Sequence, residues 1–371
     1  MGECRLCHKK SLLISEYPGI CLECIRNDFK KAKFYILEAH KKTREDFNLG
    51  VSPPKEPEGI LCNLCVNECE IKENDMGFCG LRKNLDRKLV GADSQKGDLT
   101  FYFDGLPTNC VASWICPGGT GLGFPEFSYQ KGPEYGYKNL AVFYNGCSFN
   151  CLFCQNWHFR DALGNIKKKN FVSPEDLARI IDEKTSCICY FGGDPACQLP
   201  HSILTSRIAL KNKKNRILRI CWETNGSMNE KLLDEMIKIA WESGGCIKFD
   251  LKAWTEELNI ALCGVSNKRT LDNFAKVASY IKERPLPPLL VASTLLVPGY
   301  VDEYEVEKIS EFISSLNKDI PYSLLAFYPC FYMQDLPTTT HGHAFRCREI
   351  ALKAGLNKVH IGNLQLLSDG Y

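Results

Sequence analysis

The sequence predicts an α/β domain on a parallel sheet, preceded by a cysteine-rich extension stabilised by metal. Three observations carry this. From residue 139 onward, short apolar runs alternate with stretches of helical period, the order of repeated β–α units. Cysteines in C-x2-C pairs crowd the N-terminal part: Cys4 with Cys7, Cys21 with Cys24, and Cys62 with Cys65. The chain has 371 residues, 44% hydrophobic and 24% charged, enough for one large core plus small modules. Three segments follow: a metal knuckle with a helix over 1–50, a cysteine-rich and Gly-rich stretch over 51–138, and the α/β core with its C-terminal extension over 139–371.

Apolar runs predict strands at 140–145, 187–192, 217–223, 246–251, 290–297 and 322–327. Ser173-Pro174-Glu175-Asp176 supplies a capping hydroxyl, a first-turn proline and early acids, so a helix starts there. Leu177, Ile180 and Ile181 mark its buried face. Leu232, Leu233, Met236, Ile237 and Ala240 mark a second helix, stopped near Gly244 and Gly245. Val306, Ile309, Phe312, Ile313 and Leu316 mark a third. Periodicity alone leaves an open doubly wound sheet and a partial barrel equally available.

In the extension, Cys4-x2-Cys7 and Cys21-x2-Cys24 are separated by 13 residues, so two tight turns supply four thiolates. A region this short has little core of its own, and a metal can replace one. Structural zinc is the expectation, mononuclear iron or a cluster the alternative. Ile25, Phe29, Ala32, Ile36 and Ala39 then form a helical stripe, and residues 52–58 read as a linker. Cys62, Cys65, Cys69 and Cys79 form a second metal-like group, suited to zinc or to an auxiliary iron–sulfur cluster. The turn-rich stretch 104–123, with Cys110 and Cys116, is either a surface loop or a cover for the barrel mouth.

Composition excludes several classes. A net charge of +2 provides no global attraction for nucleic acid or anionic membrane. The basic runs Lys167–Lys169 and Lys211–Arg216 read as solvated loops. The longest apolar runs are strand-sized, too short to span a bilayer. With 21 cysteines, many in metal-type pairs, and no secretory signal, the expectation is a reducing cytoplasm.

The chemistry centres on the stretch Tyr144 to Asn156, where Cys147, Cys151 and Cys154 stand in C-x3-C-x2-C spacing after an apolar run. Three thiolates on one loop can hold three irons of a [4Fe–4S] cube and leave the fourth open. This motif resembles that of the radical S-adenosylmethionine (radical SAM) superfamily. The resemblance implies a partial (β/α)6 barrel and S-adenosylmethionine bound at the open iron. It further implies a 5′-deoxyadenosyl radical released by one electron. Residues 61–82 and the C-terminal stretch 335–363 resemble the AmmeMemoRadiSam-system radical SAM proteins, relatives of pyruvate formate-lyase activating enzyme.

Further elements carry the same likeness. Tyr190-Phe-Gly-Gly-Asp-Pro195 resembles the Gly-Gly-Glu/Asp-Pro element, which implies Gly192, Gly193 and Asp194 at the cofactor's amino group. Trp222-Glu-Thr-Asn-Gly226 and Phe249-Asp-Leu-Lys252 resemble elements of glycyl-radical activating enzymes, which implies Asp250 and Lys252 beside the cofactor. Glu223 stands where relatives have Asp in a cation site, and Asn156 matches a cofactor-contacting asparagine. A late family histidine aligns with Tyr328, so the site is expected to lack that imidazole.

Cys187, Cys189, Cys221 and Cys246 read as small core residues; Cys197, Cys263, Cys330 and Cys347 have no paired spacing. The expected activity is hydrogen abstraction from a protein or other macromolecular substrate, as an activase or a modification enzyme. The likeness implies an electron donor such as ferredoxin or flavodoxin. Two alternatives stand beside it: a cobalamin-dependent methyltransferase, for which no Asp-x-His-x-x-Gly signature is present, and a non-catalytic zinc or iron–sulfur interaction protein.

Overall fold

The computed structural model describes residues 1–163, 169–213 and 216–370. Parts of both basic runs, 167–168 and 214–215, lie outside the described residues. At the N-terminus, β1 (Gly2–Glu3) and β2 (Lys10–Ser11) form an antiparallel ribbon before α1 (Leu22–Asn27). The expected single helix is interrupted at Asp28, whose backbone (φ −142°, ψ 52°) is not helical, and α2 (Phe29–Glu45) restarts beyond it. Ile25, Ala32, Ile36 and Ala39 are buried, as the stripe requires. Two more ribbons follow: β3 (Ile60–Cys62) with β4 (Cys69–Ile71), and β5 (Arg82–Leu85) with β6 (Lys88–Gly91).

All six expected strands form: β8 (Lys138–Tyr144), β10 (Thr185–Gly192), β11 (Arg219–Thr224), β12 (Ile247–Asp250), β13 (Leu290–Leu296) and β14 (Tyr322–Ala326). A seventh parallel strand, β15 (Val359–Gly362), was not legible because four residues ending in glycine show no period. Also unexpected is β7 (Gly97–Gly105), antiparallel to β8 with Leu99 across from Tyr144. Only its first three residues are buried, so its aromatic run lacks the alternation of a half-buried strand. With β9 (Phe171–Val172), the sheet order is β15-β14-β13-β12-β11-β10-β8-β7-β9.

Helices fill the connections. α3 (Pro117–Thr120) is one turn in the 104–123 stretch, and α4 (Phe159–Leu163) follows the Cys147–Cys154 loop. α5 (Pro174–Arg179) begins as expected, with Ser173 Oγ accepting the Asp176 N–H at 3.1 Å, but stops before Ile180 and Ile181. α6 (Leu199–Asn212), α7 (Glu230–Ser243), α8 (Glu256–Cys263), α9 (Lys268–Ala278), α10 (Glu303–Leu316) and α11 (His341–Lys353) complete the outer layer. α7 ends where expected, at Gly244, whose φ of 73° favours glycine.

The sheet is rolled. Residues following or ending β8, β10, β11, β12, β13, β14 and β15 all line one cavity. In a flat sheet the first and seventh of these strands would stand roughly 29 Å apart. The result is a partial (β/α)6 barrel extended by one parallel strand and an antiparallel edge. One apolar core runs from Cys4 and Ile25 into the barrel strands and outer helices. Arg26 clamps the extension onto α10, with two bonds of 2.7 Å to Asp302 and one of 2.6 Å to Glu305. Among the described residues, no helix is long and apolar enough to cross a membrane.

Candidate active site at the barrel mouth

The strand ends converge on a cavity of about 380 Å³. Cys147, Cys151 and Cys154 line it together with Asn156, Gly192, Gly193, Asp194, Glu223, Asp250 and Lys252. The seven expected cofactor residues and the three expected cluster ligands therefore share one cavity.

Backbone contacts hold the cysteine loop in place. Asn150 N–H and Leu152 N–H donate to Cys263 and Leu262 carbonyls at 2.8 and 2.9 Å, seating the loop on the end of α8. The Asn150 side chain donates to Thr43 Oγ1 at 2.8 Å and accepts from Arg160 at 2.8 Å. Asn225 donates to Ser148 Oγ at 2.9 Å and lies 3.7 Å from Cys147 Sγ. Thr43 and Arg160 sit in no spacing that flags them in sequence; each is recognised by what it touches.

Gly192 and Gly193 serve the loop first. Gly193 and Asp194 N–H donate to Tyr144 and Gly146 carbonyls, both at 2.8 Å. A Cβ on Gly193 would stand 2.3 Å from the Gly146 oxygen, so only glycine permits the approach. Asn156 donates to the Gly192 carbonyl at 2.9 Å, closing the wall.

The two aspartates differ. Asp194 is buried, and both its oxygens are engaged: Oδ1 accepts from Ala196 N–H at 2.7 Å and Thr224 Oγ1 at 2.9 Å, Oδ2 from Asn225 N–H at 2.6 Å. Burial pushes its carboxyl up to about 6 against those donors. Asp250 Oδ2 pairs with Lys252, while Oδ1 is buried without a partner. Burial works against the Lys252 ammonium, but the Asp250 and Cys151 charges outweigh it and hold it well above its ordinary value. Asp250 lines the cavity, and a carboxylate oxygen lacking a protein donor fits a ligand bearing an ammonium or hydroxyl. The donor set thus fits S-adenosylmethionine, and three thiols on one wall fit the cube.

An imidazole is also present. Tyr328 is 54% exposed and lies off the cavity, whereas His360, on β15, lines it and stacks on Trp114 at 5.1 Å. An imidazole therefore lines the cavity from the strand that periodicity did not reveal, while Tyr328 stays outside it. Trp114 belongs to the 104–123 stretch, whose surface-loop alternative is overturned. Its indole N–H donates to Ser323 Oγ at 3.0 Å, and Ser323 Oγ donates to the Val111 carbonyl at 2.8 Å, pinning the stretch to β14.

The other predicted cysteine groups do not line this cavity, although Cys147 and Cys154 pack against the apolar cluster that holds Cys65 and Cys79. The sulfurs of Cys4, Cys7, Cys21 and Cys24 all fall within 4.8 Å of one another. The second group divides between adjacent apolar clusters, Cys65 and Cys79 in one and Cys62 and Cys69 in the other. Cys197, unremarked by spacing, joins Cys65 and Cys79.

Comparison with known proteins follows this geometry. A Methanocaldococcus jannaschii protein, named provisionally as a glycyl-radical enzyme activating enzyme, is 28% identical over 212 residues, 56% of this chain and 74% of the relative. The pyruvate formate-lyase 1-activating enzyme of Escherichia coli is 25% identical over 195 residues, 51% of this chain and 74% of the relative. Among solved structures, a domain of pyruvate-formate lyase-activating enzyme from Bacteroides vulgatus aligns with a TM-score of 0.35 at 20% identity, covering 44% of this chain and 94% of that one. The radical SAM superfamily model matches residues 141–313, the span holding the cysteine loop and the strand ends that meet at the cavity. Over residues 141–313 this chain is similar to the radical SAM superfamily.

Proposed function

We propose that the protein uses a [4Fe–4S] cluster on Cys147, Cys151 and Cys154 to begin hydrogen abstraction from a protein or other macromolecular substrate. The carrying observation is the shared cavity, lined by the three thiols together with Lys252 and with Asp250, whose Oδ1 has no protein donor. The bound cluster supplies the electron that converts S-adenosylmethionine to methionine and a 5′-deoxyadenosyl radical. This chain's residues do the rest. Asp250 accepts from the cofactor, Asn156 and Gly192 shape the wall, and Lys252 and Arg160 supply positive charge beside the thiolates. Trp114, with Val111 and Phe191, screens the cavity from water.

An activase-type reaction is the reading favoured by the names of the two relatives, with a low-potential donor such as ferredoxin or flavodoxin as reductant. Zinc on the Cys4–Cys24 knuckle, and zinc or iron–sulfur on the 62–79 group, belong to the same proposal. Anaerobically reconstituted protein given dithionite should cleave S-adenosylmethionine to 5′-deoxyadenosine, read by chromatography. Adding the cofactor should change the reduced cluster's paramagnetic spectrum. A Cys147→Ala, Cys151→Ala, Cys154→Ala variant that still does both would overturn the assignment.

A further inference from the structure

Below the mouth, the barrel interior is lined with sulfur. Inward layers of an α/β barrel are ordinarily bulky aliphatics. Here Cys187 and Cys189 of β10, Cys221 of β11, and Cys246 just before β12 line a second cavity of about 270 Å³. Cys189 lies directly across from Cys221 in register. The 104–123 stretch adds Cys110 and Cys116, and Cys110 lines both this cavity and the mouth.

Lys248 stands among these sulfurs. It is 1% exposed, with Nζ 2.9 Å from Cys189 Sγ and 3.1 Å from Cys110 Sγ. Glu223 is 3.4 Å away, at the boundary with the mouth cavity. A buried ammonium is costly unless its N–H groups meet negative acceptors. Neutral thiols accept weakly, whereas thiolate and cluster sulfur accept strongly. Cysteines acting only as small core residues would close the space and call for no ammonium. Six thiols, a cavity and a lysine bonded to sulfur call for a bound thiophilic group.

We infer that the barrel interior holds a further iron–sulfur cluster, ligated by Cys110, Cys116 and two of Cys187, Cys189, Cys221 and Cys246, with Lys248 donating to its sulfur. Cys221 and Cys246 Sγ are 4.0 Å apart. Among the described residues only the knuckle gathers three or more metal-type ligand atoms mutually within 4.8 Å. The wider interior set suits thiolates bound to different irons rather than to one tetrahedral ion. This site goes beyond the proposed reaction and does not depend on it.

The test scores iron, acid-labile sulfide and Mössbauer spectra after anaerobic reconstitution with iron and sulfide. The starting variant is Cys147→Ala, Cys151→Ala, Cys154→Ala, with Cys62→Ser and Cys65→Ser added to disable the 62–79 group. It should retain a cluster with two to four irons. Adding Cys110→Ser and Cys116→Ser, both outside the sheet, should remove it without changing the circular dichroism. A starting variant that folds yet carries no sulfide-containing cluster overturns the proposal, as does a final variant that keeps one. Lys248→Gln in the wild-type chain is the second measurement, for use if the multiple variants do not fold. It should alter the Mössbauer or paramagnetic spectrum of a cluster other than the one that responds to S-adenosylmethionine, and unchanged spectra overturn the proposal.

Discussion

The Asp194 carboxylate accepts the backbone N–H of Asn225 at 2.6 Å, stitching the end of β10 to the end of β11. With Ala196 N–H and Thr224 Oγ1 on its other oxygen, this side chain braces the mouth before any ligand arrives. Asp194→Asn would turn an N–H donor toward donors, at a cost of about 1–3 kcal/mol. The expected outcome is a lower Tm by calorimetry with less than a tenfold change in S-adenosylmethionine affinity. Unchanged Tm with weak binding would return Asp194 to the cofactor.

Asp250 should show its effect in binding. Its Oδ1 has no protein donor to lose, but Oδ2 pairs with the largely buried Lys252, so Asp250→Asn should lower the Tm as well as weaken cofactor binding. Loss of a charge-assisted bond to the cofactor costs about 1.5–3 kcal/mol, or roughly ten- to a hundredfold in affinity. Titration calorimetry on the cluster-loaded variant measures it; wild-type affinity would remove Asp250 from the site.

Acid should weaken the fold through His40. Its ring is buried between α2 and the cluster loop, with Nε2 on the Ile260 and Ala261 carbonyls and Nδ1 accepting from Asn150 at 3.0 Å. Burial pushes it down to about 4, from 6.5. The stability from keeping it neutral is full above pH 6.5 and is lost as pH falls toward 4, by about 1.4 kcal/mol per pH unit. His201, also near 4, adds a parallel loss. Urea unfolding of His40→Gln between pH 4.5 and 7 should show a shallower slope; an unchanged slope rejects this role.

The Glu134–Arg219 pair anchors the bottom of the barrel, with bonds of 2.9 and 2.6 Å and both side chains at most 2% exposed. Burial pushes the Glu134 carboxyl up, but the Arg219 bonds and charge hold it below its ordinary 4.5. That stabilisation is present above pH 4.5 and declines as pH drops through the lowered value. Glu134→Gln leaves a buried guanidinium without its anion and should cost about 3–5 kcal/mol in chemical denaturation at pH 7. A loss under about 1 kcal/mol would contradict the pairing.

The knuckle should be a stability element with consequences beyond its own turns. Ser15 N–H donates to the Tyr300 hydroxyl at 3.1 Å, which donates to the Ile20 carbonyl at 3.0 Å. Cys4→Ser with Cys7→Ser should release about one metal per chain and lower the Tm, measured by metal analysis and calorimetry. Full metal retention would reject the four-thiolate site.

What the sequence determined by itself was local. C-x3-C-x2-C spacing after an apolar run points to the Cys147–Cys154 loop, because three candidate ligands on one turn need no distant partner. Alternating runs identify six strands and their helices, because period depends only on neighbours along the chain. The tertiary structure decided everything that depends on who faces whom. Asp194 and Asp250 look alike in sequence, yet the curl of the sheet gives one three donors and leaves an oxygen of the other free. His360 enters the mouth only because β15 adds to the rolled sheet. Cys189, Cys221 and Lys248 meet because parallel register stacks inward residues from strands separated by whole helices, and the 104–123 stretch brings Cys110 to them, a juxtaposition that no local spacing encodes.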